Sequence, residues 1–187
     1  MDAPLLEQAL AALGATLEDR GLAYQIVLVG GSALLLTEEG QRPTQDADVI
    51  AIARGTEPLR VELDLPSDLA EAAADVADAL GLDPDWLNTG PVGVIGHRLP
   101  QDMNSRLRHR TYGTLVVSVP ARLDLVRLKL LAAADEGPAS PHAFDLVRMG
   151  LTRAELVNAR DWVNGSSPGG RVLGLDEVAA VLERSLR

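Results

Sequence analysis

The chain contains a short apolar segment that ends in a glycine pair, and this feature constrains its fold more than any other. Tyr24 to Val29 is a short apolar run, which is typical of a buried strand. Gly30 and Gly31 follow directly, so the backbone can turn sharply and approach a ligand without a Cβ in the way. Residues Ser32 to Glu38 then have the pattern of a short helix, which Gly40 ends. This order predicts a strand that leads through a tight turn into a helix.

The next predicted strand, Asp46 to Ala53, carries two carboxylates. Asp46 and Asp48 are two residues apart, so on a strand they project from the same face. Adjacent carboxylates repel each other, and a bound divalent cation removes this electrostatic repulsion. Carboxylate oxygens are hard ligands, which suit Mg²⁺ or Mn²⁺. The glycine turn offers free N–H groups at a helix start, an arrangement suited to phosphate, and Ser32 adds a hydroxyl donor. Together the two elements meet the needs of a Mg²⁺-bound nucleoside triphosphate.

The remaining pattern predicts a mixed α/β (α+β) fold with a small mixed sheet flanked by helices. We expect one domain over residues 1–187, with an α/β core at 1–119 and a helical C-terminal subdomain at 120–187. Helices are predicted at residues 4–19, 68–80, 120–134, 142–149, from 152 onward and at 176–186. Further strands are predicted at 61–65 and 114–119, with at most one short strand within 84–105. The ends of these helices are predicted from local signals. These are N-caps at Ser67 and Asp176, a capping box at Thr152 and Glu155, a first-turn proline at Pro120 and a terminating glycine at Gly81.

Composition limits the classes of function. Apolar residues make up 47% of the chain, enough for a core, and the formal net charge is −10. A charge of that sign creates no global field that attracts nucleic acid or an anionic membrane. The absence of cysteine excludes disulfides, a thiol nucleophile and a cysteine-type zinc site. No apolar run approaches the ~18 residues of a membrane span, and the N-terminus lacks a signal-peptide pattern, so we expect a cytoplasmic protein without membrane contact.

The sequence around the glycine pair and the acidic pair resembles a known family. It runs Val29-Gly-Gly-Ser-Ala and continues through Arg42-Pro-Thr-Gln-Asp-Ala-Asp-Val49. This is similar to the signature of DNA polymerase β-like nucleotidyltransferases, in which Gly-Ser or Gly-Gly-Ser precedes an Asp-x-Asp on the next strand. It looks most like the AbiEii/MenT group of toxin-type nucleotidyltransferases. The resemblance is good over residues 26–50, moderate over 120–150 and loose elsewhere.

The resemblance implies a metal-dependent transfer of a nucleotidyl group from an NTP to an acceptor hydroxyl, with release of pyrophosphate. Asp46 and Asp48 would be catalytic and would hold Mg²⁺ or Mn²⁺. Gly30, Gly31 and Ser32 would bind the nucleotide phosphates. The acceptor would be a macromolecule, either RNA such as tRNA or a protein, and a toxin-type member would have a cognate antitoxin as its partner.

The same resemblance implies roles for two residues of the helical part. Lys129 and Asp145 match, in order, a lysine and a following acid of the AbiEii/MenT group. Lys129 would bind the nucleotide and neutralise triphosphate charge, and Asp145 would position Lys129 or the acceptor. Taken alone, a lysine between two leucines is equally typical of a side chain that reaches past the core to water. Asp145 alone also fits a helix-surface acid near Arg148.

Three further features are left open by the sequence. Nucleotidyltransferases of this fold supply a third carboxylate from a later strand, and Asp64 and Glu62 are the candidates here. Trp86 and Asn88 could border the pocket, although Trp86 fits a core anchor better. The one concentration of basic residues is either a grip for RNA phosphates or a solvated hairpin edge, and it comprises Arg106, Arg108, His109 and Arg110.

Two other functions fit the same motifs. A non-catalytic nucleotide-binding or protein-interaction module could retain the fold with a degenerate site. An enzyme that nucleotidylates a small molecule such as an antibiotic shares the core motif, and such an acceptor suits an acidic chain better than RNA does. Mg²⁺-dependent binding of triphosphate separates the enzymes from the module.

Overall fold

Two compact units make up the structure, a computed structural model that describes residues 1–37, 39, 42–96, 98–167, 169 and 172–186. The first unit comprises Met1–Gly93 and Leu107–Val119, and the second comprises Val94–Arg106 and Pro120–Arg187. The second unit thus takes residues 94–106 in addition to the helical part that starts at Pro120. That the whole chain forms one domain stays a prediction. Within the described part of the chain, no helix combines the length and the apolar character that crossing a bilayer requires.

The first unit is built on a five-stranded mixed sheet. Its strands are β1 Tyr24–Val29, β2 Ala47–Arg54, β3 Leu87–Asn88, β4 Arg108–Tyr112 and β5 Leu115–Val119. Their order is β3-β2-β1-β5-β4, with β1 antiparallel to β2 and parallel to β5. At the edges, β3 runs parallel to β2 and β4 runs antiparallel to β5. This sheet and its flanking helices confirm the predicted α/β class.

Helices of the first unit flank this sheet. They include α1 Ala3–Asp19, α2 Gly30–Leu36 and α3 Ser67–Leu80. Leucines recur at helical spacing along α1 and are fully buried, namely Leu6, Leu10, Leu13 and Leu17, and α1 packs against α3. The Tyr24 hydroxyl on β1 donates to Asp68 of α3 at 2.5 Å, so Tyr24 faces these helices. At the other end of β1, Val29 is in register with Asp48 of β2, beyond an irregularity in the pairing between Val27 and Leu28.

The second unit is helical. It contains α5 Arg122–Glu136, α6 Pro141–Arg148, α7 Arg153–Ser166 and α8 Leu175–Ser185, preceded by a 3-10 turn at Met103–Arg106. A further helical turn, α4 Val92–Ile95, lies where the chain passes between the units. Helix α5 contacts the other three long helices and is buried over most of its length. The predicted capping box opens α7, where Oγ1 of Thr152 accepts the Glu155 N–H at 3.2 Å.

Most predicted elements are confirmed, and one strand is wrong. The helix at 4–19, the strands at 24–29, 46–53 and 114–119 and the short strand within 84–105 are present within a residue or two. Residues 61–65 form no strand; only Arg60 bridges to Ile52. Leu63, in the middle of that segment, is 75% exposed. Alternation predicted the strand, but a strand also needs a partner and a buried face, and this segment has neither.

Strand β4 and the helical turns at Val92–Ile95 and Met103–Arg106 were not predicted, and the other differences lie at helix starts. Helix α2 begins at Gly30 rather than at Ser32, so it includes both glycines, and its predicted end at Glu38 and Gly40 falls outside the described residues. Two observed N-caps stand before the predicted ones, Pro66 in place of Ser67 and Gly174 in place of Asp176. In contrast, α5 begins later than predicted, with Ala121 as its N-cap after Pro120. Local signals mark that a helix begins nearby, but packing selects the first helical residue.

Candidate nucleotide and metal site

The end of β1 and the start of β2 meet at Gly30. Val29 is in register with Asp48, and Gly30 has a φ of +66°, in the left-handed region that favours glycine. A Cβ at Gly30 would lie 2.1 Å from Oδ2 of Asp48, far inside any real contact distance. The Asp48 carboxylate therefore lies directly on the backbone of the glycine turn, in space that any side chain at position 30 would fill.

The second glycine accommodates the segment that leads into β2. A Cβ at Gly31 would lie 2.7 Å from Oγ1 of Thr44. Thr44 is buried, and its Oγ1 donates to the carbonyl of Asp46 at 3.1 Å. Its N–H donates to the carbonyl of Met1 at 2.9 Å. Thr44 thus connects the glycine turn to the first residue of the acidic pair, which gives the threonine of the sequence motif a structural role.

Ser32 is fully buried in α2. Its Oγ donates to the carbonyl of Val29 at 2.9 Å, so the hydroxyl proton stabilises the turn itself. The sequence predicted that this hydroxyl donates to a phosphate, and in this structure the donor is already used. Binding of phosphate by Ser32, and by the backbone of Gly30 and Gly31, stays a prediction.

Asn88 joins the acidic pair from the neighbouring strand β3. It is in register with Asp48, and its Nδ2 donates to Oδ2 of Asp46 at 3.2 Å. The sequence placed Asn88 only at the border of the pocket, because a two-residue strand has too little alternation to be detected. Nearby, Trp86 is 1% exposed and its indole N–H donates to the carbonyl of Ala73 at 2.9 Å. Trp86 is the core anchor that the sequence favoured.

The acidic pair fits one divalent cation. Asp46 and Asp48 are both partly exposed, so their oxygens can reach solvent or a ligand. Mg²⁺ characteristically takes one or two carboxylates and completes its shell with water and substrate phosphates. Among the described residues, no group of three or more His, Asp or Glu side chains could hold a metal. The residues present therefore suit a cation whose remaining ligands come from water or substrate.

The two predicted candidates for a third carboxylate lie elsewhere in the first unit. Glu62 and Asp64 are exposed and line a cavity of about 400 Å³ together with Tyr24 and Arg54. Tyr24 and Arg54 are paired at the opposite end of β1 and β2 from Asp48. Within the part of the chain that the structure describes, Asp48 is thus the carboxylate that meets the glycine turn, and the amide of Asn88 contacts the neighbouring Asp46.

Lys129 and Asp145 form a buried ion pair in the second unit. Lys129 Nζ on α5 donates to Oδ2 of Asp145 on α6 at 2.6 Å, and each residue is only 4% exposed. A lysine that reaches water and a helix-surface acid are therefore both wrong interpretations. Burial and the positive charge of Lys129 lower the pKa of His142 on α6. The two residues are brought together as the resemblance implied, while their roles with a nucleotide stay predictions.

The basic residues at 106–110 do not form one surface. Arg106 belongs to the second unit, and its Nε and Nη2 each lie 3.0 Å from a carboxylate oxygen of Asp124. Asp124 is fully buried and also accepts from Arg127 at 3.1 Å. A buried carboxylate needs such partners because its charge is otherwise unsatisfied. Arg106 therefore stabilises the helical unit.

The other three basic residues lie on the edge strand β4 of the first unit. Arg110 pairs with Glu7 of α1, and Nδ1 of His109 lies 2.9 Å from Oγ of Ser118 on β5. Among the described residues, Arg108 is the member of this group whose side chain makes no hydrogen bond or ion pair. The hairpin-edge alternative is confirmed, and most of the basic charge is neutralised within the chain.

The fold and the site together define a class of protein. A mixed sheet, a Gly-Gly turn that opens a helix and an acidic strand packed against that turn are those of a nucleotidyltransferase fold. Residues 6–136 match the model of a family described as nucleotidyltransferase of unknown function (DUF6036), and the chain belongs to this family. The matched region includes Lys129 and ends before Asp145. No curated protein and no solved structure matches the chain.

Proposed function

We propose that this protein is a metal-dependent nucleotidyltransferase that transfers a nucleotidyl group from an NTP to a hydroxyl of a macromolecule. The observation that carries the proposal is the packing of Asp48 against Gly30, where a Cβ would lie 2.1 Å from the carboxylate. It puts a cation ligand and an anion-binding turn side by side, as a metal-bound triphosphate requires. Membership of a nucleotidyltransferase family supports the same reaction class.

In the proposed reaction, an acceptor oxygen bonds to the α-phosphorus while the bond to the β-phosphate oxygen breaks. Pyrophosphate and one proton are released. Asp46 and Asp48 hold one divalent cation, Mg²⁺ or Mn²⁺, which supplies neutralisation of phosphate charge and activation of the attacking hydroxyl when bound. The N–H groups of Gly30 and Gly31 bind phosphate oxygens. Lys129 is proposed to neutralise triphosphate charge, with Asp145 positioning Lys129 or the acceptor.

The acceptor is proposed to be a protein in preference to tRNA. An RNA acceptor needs a basic surface to bind its phosphates, and Arg106 and Arg110 are engaged by Asp124 and Glu7. The likeness of the glycine and acidic motifs to the AbiEii/MenT group supports a toxin role with a cognate antitoxin. This part of the proposal rests on sequence motifs alone.

The test is incorporation of label from each common α-³²P-labelled NTP into total protein, tRNA and small-molecule acceptors. We expect labelling of protein that requires Mg²⁺ or Mn²⁺. Asp48→Ala should reduce it roughly 100-fold or more, since loss of a metal ligand removes about 3 kcal/mol of transition-state stabilisation. Asp78→Ala, which removes an exposed carboxylate of α3, is the matched control and should retain activity.

Calorimetry separates the enzyme from a binding module. If triphosphate binds equally well with and without Mg²⁺, and no acceptor is labelled, the protein is a nucleotide-binding module and the proposal is wrong. Labelling of a small molecule alone would retain the reaction and reject the macromolecular acceptor.

A further inference from the structure

Asn88 occupies a position beside the acidic pair for which the proposed reaction has no role. It lies on β3 in register with Asp48, and paired residues of neighbouring strands project from the same face of a sheet. Its Nδ2 lies 3.2 Å from Oδ2 of Asp46 and 3.3 Å from the carbonyl of Asp85. An amide therefore contacts one of the two carboxylates that are proposed to hold the cation.

The orientation of the Asn88 amide is set by its other contacts. Oδ1 accepts the N–H of Gly90 at 2.8 Å. If the amide were turned over, its NH₂ group would face that N–H, and two donors would meet without an acceptor. The NH₂ group therefore faces Asp46, and Oδ1 of Asn88 is already used by the backbone. This amide can orient a carboxylate but does not offer its own oxygen to a cation.

We propose that Asn88 is a positioning residue, which holds Oδ2 of Asp46 by a hydrogen bond and leaves Oδ1 of Asp46 for the cation. Oδ1 makes no hydrogen bond among the described residues. The bond also stabilises the Asp46 charge next to Asp48 without adding a third negative charge to the metal-free protein. The inference rests on the proposed metal-dependent function and identifies a residue of that same site.

Direct binding of Mn²⁺ to the full chain, followed by electron paramagnetic resonance, tests this role without relying on activity. Loss of a hydrogen bond to a metal-ligating side chain typically weakens metal binding 10–100-fold, so we expect Asn88→Ala to raise the Kd for Mn²⁺ about 10-fold. Asn88→Asp places a third carboxylate beside Asp46 and should lower the Kd on the order of 10-fold, since ligand charge raises affinity. The melting temperature of Asn88→Asp without metal should fall and recover when Mn²⁺ is added.

Asn104→Asp is the matched control, because it adds the same charge on an exposed residue of the 3-10 turn. We expect its Kd to stay within about twofold of wild type, since solvent screens the charge of an exposed side chain. If both Asn88 variants bind Mn²⁺ like wild type while Asp48→Ala does not bind it, the metal site stands and the role of Asn88 is rejected. If Asn88→Ala fails to fold, Asn88→Leu removes the same donor from a side chain of similar size, and an unchanged Kd in that variant rejects the role. Absence of Mn²⁺ binding to wild type, with and without a non-hydrolysable triphosphate analogue, rejects both proposals.

Discussion

At the scale of single residues, the acidic strand can lie close to the glycine turn because Gly30 has no Cβ. Gly30 combines a left-handed backbone with a carboxylate oxygen in the space where a side chain would begin. Each property alone disfavours other residues, and together they make glycine the one residue that permits the observed contact with Asp48. The site therefore requires a glycine for steric reasons that are separate from any ligand.

We expect Gly30→Ala to destabilise the protein by more than the ~1–2 kcal/mol that an alanine in the left-handed region costs. The excess comes from the overlap between the new methyl group and Oδ2 of Asp48. Gly21→Ala is the matched control, because Gly21 has the same φ of +66° and nothing lies within 4 Å of its Cβ position. Chemical denaturation of both variants measures the difference. Equal losses of stability in the two variants would show that Asp48 does not approach Gly30 as described.

At the scale of secondary-structure elements, α5 and α6 are joined by a polar contact within an apolar group of helices. The Lys129–Asp145 pair is almost inaccessible to solvent, and α5 on either side of it is lined by buried leucines. Removing both charges from water is costly, so a buried pair of this kind contributes little net stability, although breaking it is strongly unfavourable. Such an arrangement suits a functional lysine, but it also arises from helix packing alone.

A comparison of single and double variants separates these two roles. Lys129→Met removes the Lys129 ammonium from the buried carboxylate of Asp145 and should cost about 3–5 kcal/mol of unfolding free energy. The double variant Lys129→Met/Asp145→Leu should recover most of that loss, because apolar side chains of similar size replace the pair. Urea denaturation measures both. The pKa of His142, followed by NMR, should rise in Lys129→Met, because the nearby positive charge is removed.

The activity of the double variant then decides the functional question. If it is stable and fails to incorporate nucleotide, Lys129 or Asp145 takes part in the reaction. If it is stable and as active as wild type, the pair is structural and the role implied by the resemblance is wrong.

At the scale of the whole molecule, charge separates the possible acceptors. The formal net charge is −10, and internal partners engage Arg106, His109 and Arg110. A polyanion would therefore approach against the overall field and find few free cations on β4. A protein acceptor with a basic or neutral surface meets no such barrier.

We expect wild-type protein to bind tRNA no more tightly than a Kd of roughly 10⁻⁶ to 10⁻⁴ M at physiological salt, the range of non-specific binding. Arg108→Ala should change that Kd by less than about twofold, since one phosphate contact contributes little. Arg153→Ala, at an exposed position of α7, is the control. Fluorescence anisotropy across a salt series measures both quantities. A Kd well below this range, with a steep salt dependence that Arg108→Ala reduces, would make RNA the acceptor.

Local signals in the sequence were sufficient for the fold class and for the position of the candidate site. The apolar run before Gly30, the glycine pair and the spacing of Asp46 and Asp48 are contained within a short stretch of chain. These motifs can be interpreted from local backbone geometry and strand alternation. Both are properties of neighbouring residues and do not depend on residues far away in the chain. The sequence alone therefore determined that an acidic strand follows a glycine turn.

Contacts between residues far apart in the chain decided the rest. Asn88 reaches Asp46 across 42 positions, and Arg110 reaches Glu7 across 103. Neither contact produces a periodic pattern in the sequence. The energy of each contact depends on which strands and helices are neighbours in space, and not on the residues that are adjacent in the chain. For the same reason the burial of Lys129 and the separation of Glu62 and Asp64 from the acidic pair emerged only from tertiary structure. The sequence determined which groups could form a site, and the packing of β3 against β2 decided which group completes it.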